Sequence, residues 1–479
     1  MLASHNRPLC VDLDGTLVRT DLLVEGFFGL LRKRPWALLL VPLWLLRGKA
    51  YLKERIAREV DVDAALLPYH KGLLAHLREF HVSGRRLVLA TASHRKYAEK
   101  VAAHLRIFDE VLATEGGYNL SGAAKRAVLV ERFGRRGFDY AGNGRPDLAI
   151  WSDAAEAVVV NAERGVRAKV ERIGIPALFI DDRRATAVSL VTALRLHQWL
   201  KNLLIFVPLA AAHKTVDVQL GLQAVIAFLA FGVTASSVYV LNDLLDLEAD
   251  RRHPRKRNRA FASGNLPLSH GIALIPLLLA VGVAASVAFL PHSFVIALVG
   301  YYILTLTYSL WAKSQVMVDV LFLAGLYTIR LLAGAAAVSV TPSFWLLAFS
   351  MFLFLSLALV KRYSELVVML REGLENAAGR GYKVEDLPVL QSLGAASGYL
   401  SVLVLALYIN SPDVHTLYAW PVALWALCPL LLFWISRVWM KAHRGEMHDD
   451  PVVFAARDRV SLLVGLAAAV ALGYATMWA

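Results

Sequence analysis

Along the second half of the chain, apolar runs of about 18 to 23 residues recur between short polar stretches. An α-helix of that length crosses the ~30 Å hydrocarbon core of a bilayer. Nine spans are predicted, at about 196–213, 219–241, 271–290, 292–311, 316–337, 342–360, 393–410, 416–436 and 460–478. The first half has a different rhythm. Short apolar runs such as "PLCV" and "RRLVLATAS" alternate with helix-forming stretches, the order expected of a parallel α/β sheet. The boundaries read as an α/β domain over 1–185, a linker over 186–195 and an all-α membrane bundle over 196–479.

One apolar run in the first half departs from this rhythm. In "RKRPWALLLVPLWLLRGKAYLKER", Trp36 to Leu46 is too short to span a bilayer. Its tryptophans and basic flanks suit a helix lying in the membrane interface. A buried helix is the competing reading.

Composition adds the charge pattern. A hydrophobic share of 57% and a mean hydropathy of +0.52 exclude a wholly soluble protein. If the α/β half is cytoplasmic, the loops after the second, fourth, sixth and eighth spans hold six, one, five and five Lys or Arg residues, against Lys214 alone in the opposite loops. That is the positive-inside asymmetry of an inner-membrane, multi-pass protein whose C-terminus lies outside. The net charge of +13 then reflects topology and contact with anionic lipid or phosphate, and no nucleic-acid partner is expected. Cys10 and Cys428 lie in different halves, inside apolar runs, so no disulfide framework is expected. The N-terminus lacks a basic region followed by an apolar one, so no cleavable signal is expected.

The stretch "NDLLDLEADRRHPRKRNR", Asn242 to Arg259, follows directly on an apolar run. Charge so close to hydrocarbon is costly and points to chemistry or ion binding. Asn242, Asp246 and Asp250 are four apart, so on a helix they drift by only about 40° per step and share a face, with Asp243 beside them. Such carboxylates suit Mg²⁺, which takes few of them and leaves positions for substrate phosphates. Arg251, Lys256, Arg257 and Arg259 are placed to hold further phosphate oxygens. A solvated helix end beside an ordinary basic loop is the competing reading.

This stretch resembles the first Asp-rich motif of the UbiA superfamily of intramembrane transferases, in the form found in decaprenyl-phosphate phosphoribosyltransferases. "LRLHQWLKNLLIFVPL", with Lys201, resembles that branch's first helix. "YSLWAKSQVMVDVLFLAGLYTIRLLAGAAA" resembles its second motif, with Tyr308, Lys313, Asp319 and Arg330. "KRYSEL", with Lys361 and Arg362, and "RGEMHDDPVVFAARDR" resemble its later loops. Ala260 departs from the pattern, standing where proline is usual. The resemblance implies Mg²⁺ held by Asn242, Asp243, Asp246, Asp250 and Asp319, these residues converging on one cavity. It also implies a phosphoribosyl diphosphate donor and a polyprenyl phosphate acceptor, with Lys201, Tyr308, Lys313, Arg330, Lys361 and Arg362 on substrate phosphate. The wider superfamily uses a prenyl diphosphate and an aromatic acceptor instead. Lys313 and Arg330 also read as helix-end residues that snorkel.

In the first half, "PLCVDLDGTLVRTD" resembles the first motif of haloacid dehalogenase (HAD) phosphohydrolases. The resemblance implies Asp12 as nucleophile and Asp14 as general acid/base, both near Mg²⁺. Thr91 and Ser93, ending "RRLVLATAS", fit the second motif as phosphate-binding hydroxyls. Lys125 in "SGAAKRAVL" fits the third. "FDYAGNGRPDLAIW" fits the fourth, with Asp147 as a metal ligand and Asn143, where an acid is usual, as an uncharged one through its carbonyl oxygen. A helical cap is implied at about 20–85. The rival class, a transporter with a regulatory domain, predicts charges near the bilayer midplane, paired across repeats. Here the acids cluster at helix ends beside bases. The sequence leaves the oligomeric state open.

Overall fold

The computed structural model describes residues 7–182, 186–214, 216–371, 381–447 and 450–476. Arg380, one of the predicted cytoplasmic bases, lies outside them. The chain forms two compact units, one of residues 1–194 with 239–275 and one of 195–238 with 276–479.

The first unit is built on six parallel strands: β1 (Leu9–Val11), β2 (Leu87–His94), β3 (Glu110–Thr114), β4 (Asp139–Gly142), β5 (Ala157–Val160) and β6 (Ala177–Ile180). They lie in the order β3-β2-β1-β4-β5-β6. Strand alternation divides the core. Leu9, Val11, Leu87 and Leu89 pack into one cluster, and Cys10, Val88 and Ala90 into the opposite one. Both faces are therefore covered, and the strands read as continuous apolar runs. The chain order reverses at β1, which pairs with β2 on one side and β4 on the other. Such a switch point leaves a crevice beyond the strand C-termini.

The predicted cap follows β1. Helix Leu22–Lys33 opens with Asp21 accepting hydrogen bonds from the Leu23 and Val24 amides. The Trp36–Leu46 stretch is not the single helix expected. It divides into a 3₁₀ turn, Pro35–Leu39, and a short helix, Val41–Leu46, each with a proline in its first two positions. Proline has no N–H to give to a preceding turn, so it starts helices and does not continue them. Ala37 and Trp44 of this stretch are buried in the cap core with Leu30, Leu52, Ile56 and Val60, and Leu40 and Val41 pack against it. Trp36 (57%), Leu39 (78%) and Leu46 (85%) are exposed, together with Leu38, Leu43 and Leu45. The buried-helix reading is thereby corrected.

Among the described residues, eight helices are long and apolar enough to cross a membrane. The expected ninth span, 196–213, is irregular: Leu196–Phe206 is a 3₁₀ helix and Val207–Ala211 a short α-helix. Pro208 breaks the ladder there, having no amide for the preceding turn. The predicted linker is helical over Thr186–Leu194.

Candidate active sites

The crevice at β1 gathers the residues named from the four phosphohydrolase-like motifs. Asp12 directly follows β1 and accepts a hydrogen bond from Lys125 Nζ at 2.7 Å. Lys125 also donates to the Tyr140 hydroxyl at 3.0 Å, and that hydroxyl donates to Asp147 Oδ1 at 2.8 Å. Asp14 accepts from Ser93 Oγ at 2.5 Å and from the Leu22 amide at 2.9 Å. Burial raises Asp12 to about 6 against the pull of Lys125, and burial with neighbouring Asp21 raises Asp14 to about 7. Asp12 and Asp14 are thus buried carboxylates whose charged form a divalent cation would stabilise.

Two of these residues are also engaged within the fold. Thr91 is fully buried, and its hydroxyl accepts the Ser93 amide at 3.0 Å, shaping the strand end. Asp147 uses both oxygens inside the fold, since Oδ2 accepts the amides of Asn143 and Gly144 at 3.0 Å. It therefore anchors the turn after β4. Asn143 Oδ1 accepts from Thr16 at 3.4 Å. Lys53 was not foreseen. It reaches in from cap helix Lys49–Glu59 to bond the Ala92 carbonyl and Asn119 Oδ1, each at 2.7 Å. Burial lowers its pKa, against the pull of Asp14 and Asp21.

The first unit also holds the acidic motif. Helix Val218–Leu245 ends just before Asp246, and Leu247–Arg252 begins just after it. Backbone bonds still run from Asp246 to Asn242 and from Asp250 to Asp246, at 3.0 and 2.8 Å, so the spacing of four survives the break. Arg259 Nη1 bridges Asp243 at 3.3 Å and Asp250 at 2.6 Å, both acids being buried. Asn242 Oδ1 is buried without a hydrogen-bond partner. A buried orphan acceptor beside two carboxylates is a donor set that suits a hard cation. No three His, Cys, Asp or Glu side chains among the described residues make a complete metal cage. An ion here would need substrate phosphates as further ligands, as Mg²⁺ accepts. Arg251 was expected on phosphate; instead both its Nη atoms grip Glu25 of the cap, at 2.9 and 2.5 Å. Lys256 is half-buried and Arg257 exposed in the loop that follows.

In the second unit Asp319 is fully buried, and its oxygens are taken by Arg362 Nε and, at 2.5 Å, by the Tyr382 hydroxyl. As folded it is an ion-pair partner, not an open metal ligand. Arg362 also donates to Tyr308 at 2.8 Å and Glu365 at 2.5 Å and so organises this cluster. Arg330 bonds Asn202 at 3.0 Å and lies over the rings of Phe231 and Tyr301. It is buried mid-helix and does not snorkel. Lys313 sits half-buried in the turn Ala312–Ser314.

Lys201 and Lys361 meet at an acid that was not foreseen. Asp450 accepts from Lys201 at 2.8 Å, Lys361 at 3.2 Å and the Tyr327 hydroxyl at 2.8 Å. Burial would raise this carboxyl, but the two ammonium groups outweigh it and hold it well below the usual range.

Comparison with known proteins places both halves. A model of the UbiA prenyltransferase family matches residues 203–463, and one of haloacid dehalogenase-like hydrolases matches 9–149. An uncharacterized protein of Sinorhizobium fredii is 36% identical over 96% of this chain and 89% of its own. The nodulation protein NoeC of Azorhizobium caulinodans is 37% identical over 57% of this chain and 90% of its own. A decaprenyl-phosphate phosphoribosyltransferase of Mycobacterium tuberculosis is 30% identical over 58% of this chain and 91% of its own. The acids and bases of Asn242 to Arg259 fall inside the first match and the Asp12 crevice inside the second. The chain is an enzyme of the UbiA prenyltransferase family, a multi-pass membrane protein with a HAD phosphatase domain ahead of its transferase domain.

Proposed function

We propose that the chain transfers phosphoribose from phosphoribosyl diphosphate to a polyprenyl phosphate, and that its phosphatase domain then removes the 5-phosphate from the product. The arrangement at Asn242 to Arg259 carries this reading, with buried acids, an orphan amide oxygen and several bases within one hairpin. The relative from Mycobacterium tuberculosis supports the choice of donor. An acceptor phosphate oxygen attacks the sugar's anomeric carbon as its bond to the diphosphate oxygen breaks. Lys256, Arg257 and Arg259 neutralise the charge that gathers on the departing diphosphate. Mg²⁺, held by Asn242, Asp243, Asp246 and Asp250, would supply further charge stabilisation.

In the phosphatase crevice Asp12 attacks phosphorus and the phosphorus–oxygen bond to the sugar breaks, while Asp14 gives a proton to the leaving hydroxyl. Water, activated by Asp14, then frees phosphate from Asp12. Both domains on one chain raise the effective concentration of the intermediate. Incubating the purified protein with labelled phosphoribosyl diphosphate and polyprenyl phosphate should yield labelled lipid. A prenyl diphosphate with 4-hydroxybenzoate should yield none. Product from the second pair alone would establish the prenyltransferase reading instead.

The basic loops support a cytoplasmic phosphatase domain, and the exposed strip Trp36–Leu46 supports its lying against the membrane surface. Arg34 and Arg47 flank that strip, close over the rings of Trp36 and Tyr51. A spin label on Leu39→Cys in liposomes should sit about 5–10 Å into the headgroup boundary. A label fully accessible to aqueous relaxants would contradict this placement.

A further inference from the structure

The first unit holds residues 239–275 of the transferase sequence within the same compact body as the phosphatase fold. We propose that Glu25, on the first cap helix, is a positioning residue for the transferase: by gripping Arg251 it sets the basic loop that receives the donor diphosphate. The proposal rests on the transfer reaction given above.

Glu25 and Arg251 form a nearly buried fork, their side chains 10% and 6% exposed. Both Nη atoms of Arg251 are spent on the carboxylate, and its Nε donates to the Ala262 carbonyl at 2.9 Å. Arg251 therefore ties the far end of the loop, at Ala262, to the cap and has little left for a phosphate. Thr20 donates to the same carboxylate and fixes it from behind. The loop closes on the phosphatase fold a second time at Gly264. Its φ of +70° is one that a side chain rarely adopts, and a Cβ there would lie 2.7 Å from the Arg19 carbonyl oxygen. Between these two fixings lie Lys256, Arg257 and Arg259.

The same helix, Leu22–Lys33, reaches both chemistries. Its first amide, Leu22, holds Asp14 of the phosphatase crevice. In its last turn Arg32 lies 3.6 Å from Asp246 of the acidic motif. That pair is partly exposed and adds little by itself. The buried fork is different, because removing one partner leaves an uncompensated charge that must move or be solvated.

The test uses the purified full-length protein, labelled phosphoribosyl diphosphate and three forms: wild type, Glu25→Gln and Glu25→Leu/Arg251→Met. Glu25→Gln should raise the donor KM by about tenfold or more, with a smaller change in kcat, as the loop loses its anchor. Hydrolysis of p-nitrophenyl phosphate should stay within about twofold of wild type, because the Asp12 crevice is untouched. The apolar double variant should bring the KM back toward wild type, since a buried ion pair is replaceable by packed apolar groups. An unchanged KM in Glu25→Gln would overturn the proposal. So would a double variant as impaired as the single one, because Arg251 would then be meeting the substrate itself. A wild-type protein that transfers no sugar would instead overturn the reaction on which the proposal rests.

Discussion

Asp246→Asn should reduce phosphoribosyl transfer by at least about 10³-fold while leaving the protein folded. The exchange keeps the side chain's size and its place at the break between helices Val218–Leu245 and Leu247–Arg252, but removes its charge. Asp243 and Asp250 are buried and share Arg259, whereas Asp246 is partly exposed, with Arg32 at 3.6 Å. Excess EDTA should have the same effect as the substitution. Measured transfer near the wild-type rate in either condition would remove Asp246 from the reaction.

Asp12→Asn should lower phosphate release by at least about 10³-fold, because the amide is a far poorer nucleophile toward phosphorus. Transfer itself should continue, and the 5-phosphorylated lipid should accumulate. Asn at this position can still accept the hydrogen bond from Lys125, so the crevice should keep its shape. Chromatography of the lipid products would show the difference directly. Identical lipid products from wild type and variant would mean that the domain acts on something else.

The phosphatase crevice was legible because each of its motifs ends a strand or starts a helix. Asp12 closes "PLCV", Ser93 closes "RRLVLATAS" and Lys125 opens a helix, so strand order alone brings them together. Lys53 carried no such signal. It sits on a cap helix, and its partners Ala92 and Asn119 are far along the chain. Asp450 and Glu25 escaped for the same reason: each is an ordinary acid until folding brings distant bases to it. The partners of Arg251, Arg330 and Arg362 were equally invisible in the sequence. Their guanidinium groups read as phosphate ligands, and folding sets Glu25, Asn202 and Asp319 against them. Hydropathy located eight spans but not the irregular path of 196–213, where windowed apolarity is high and Pro208 breaks the helix.

The most direct measurement uses a donor labelled twice, with ¹⁴C in the ribose and ³²P in the 5-phosphate, offered to the wild-type protein with polyprenyl phosphate. ¹⁴C should enter the lipid fraction while ³²P appears as inorganic phosphate. If no ¹⁴C reaches the lipid, the proposed transfer is wrong; if both labels remain there together, the proposed hydrolysis is.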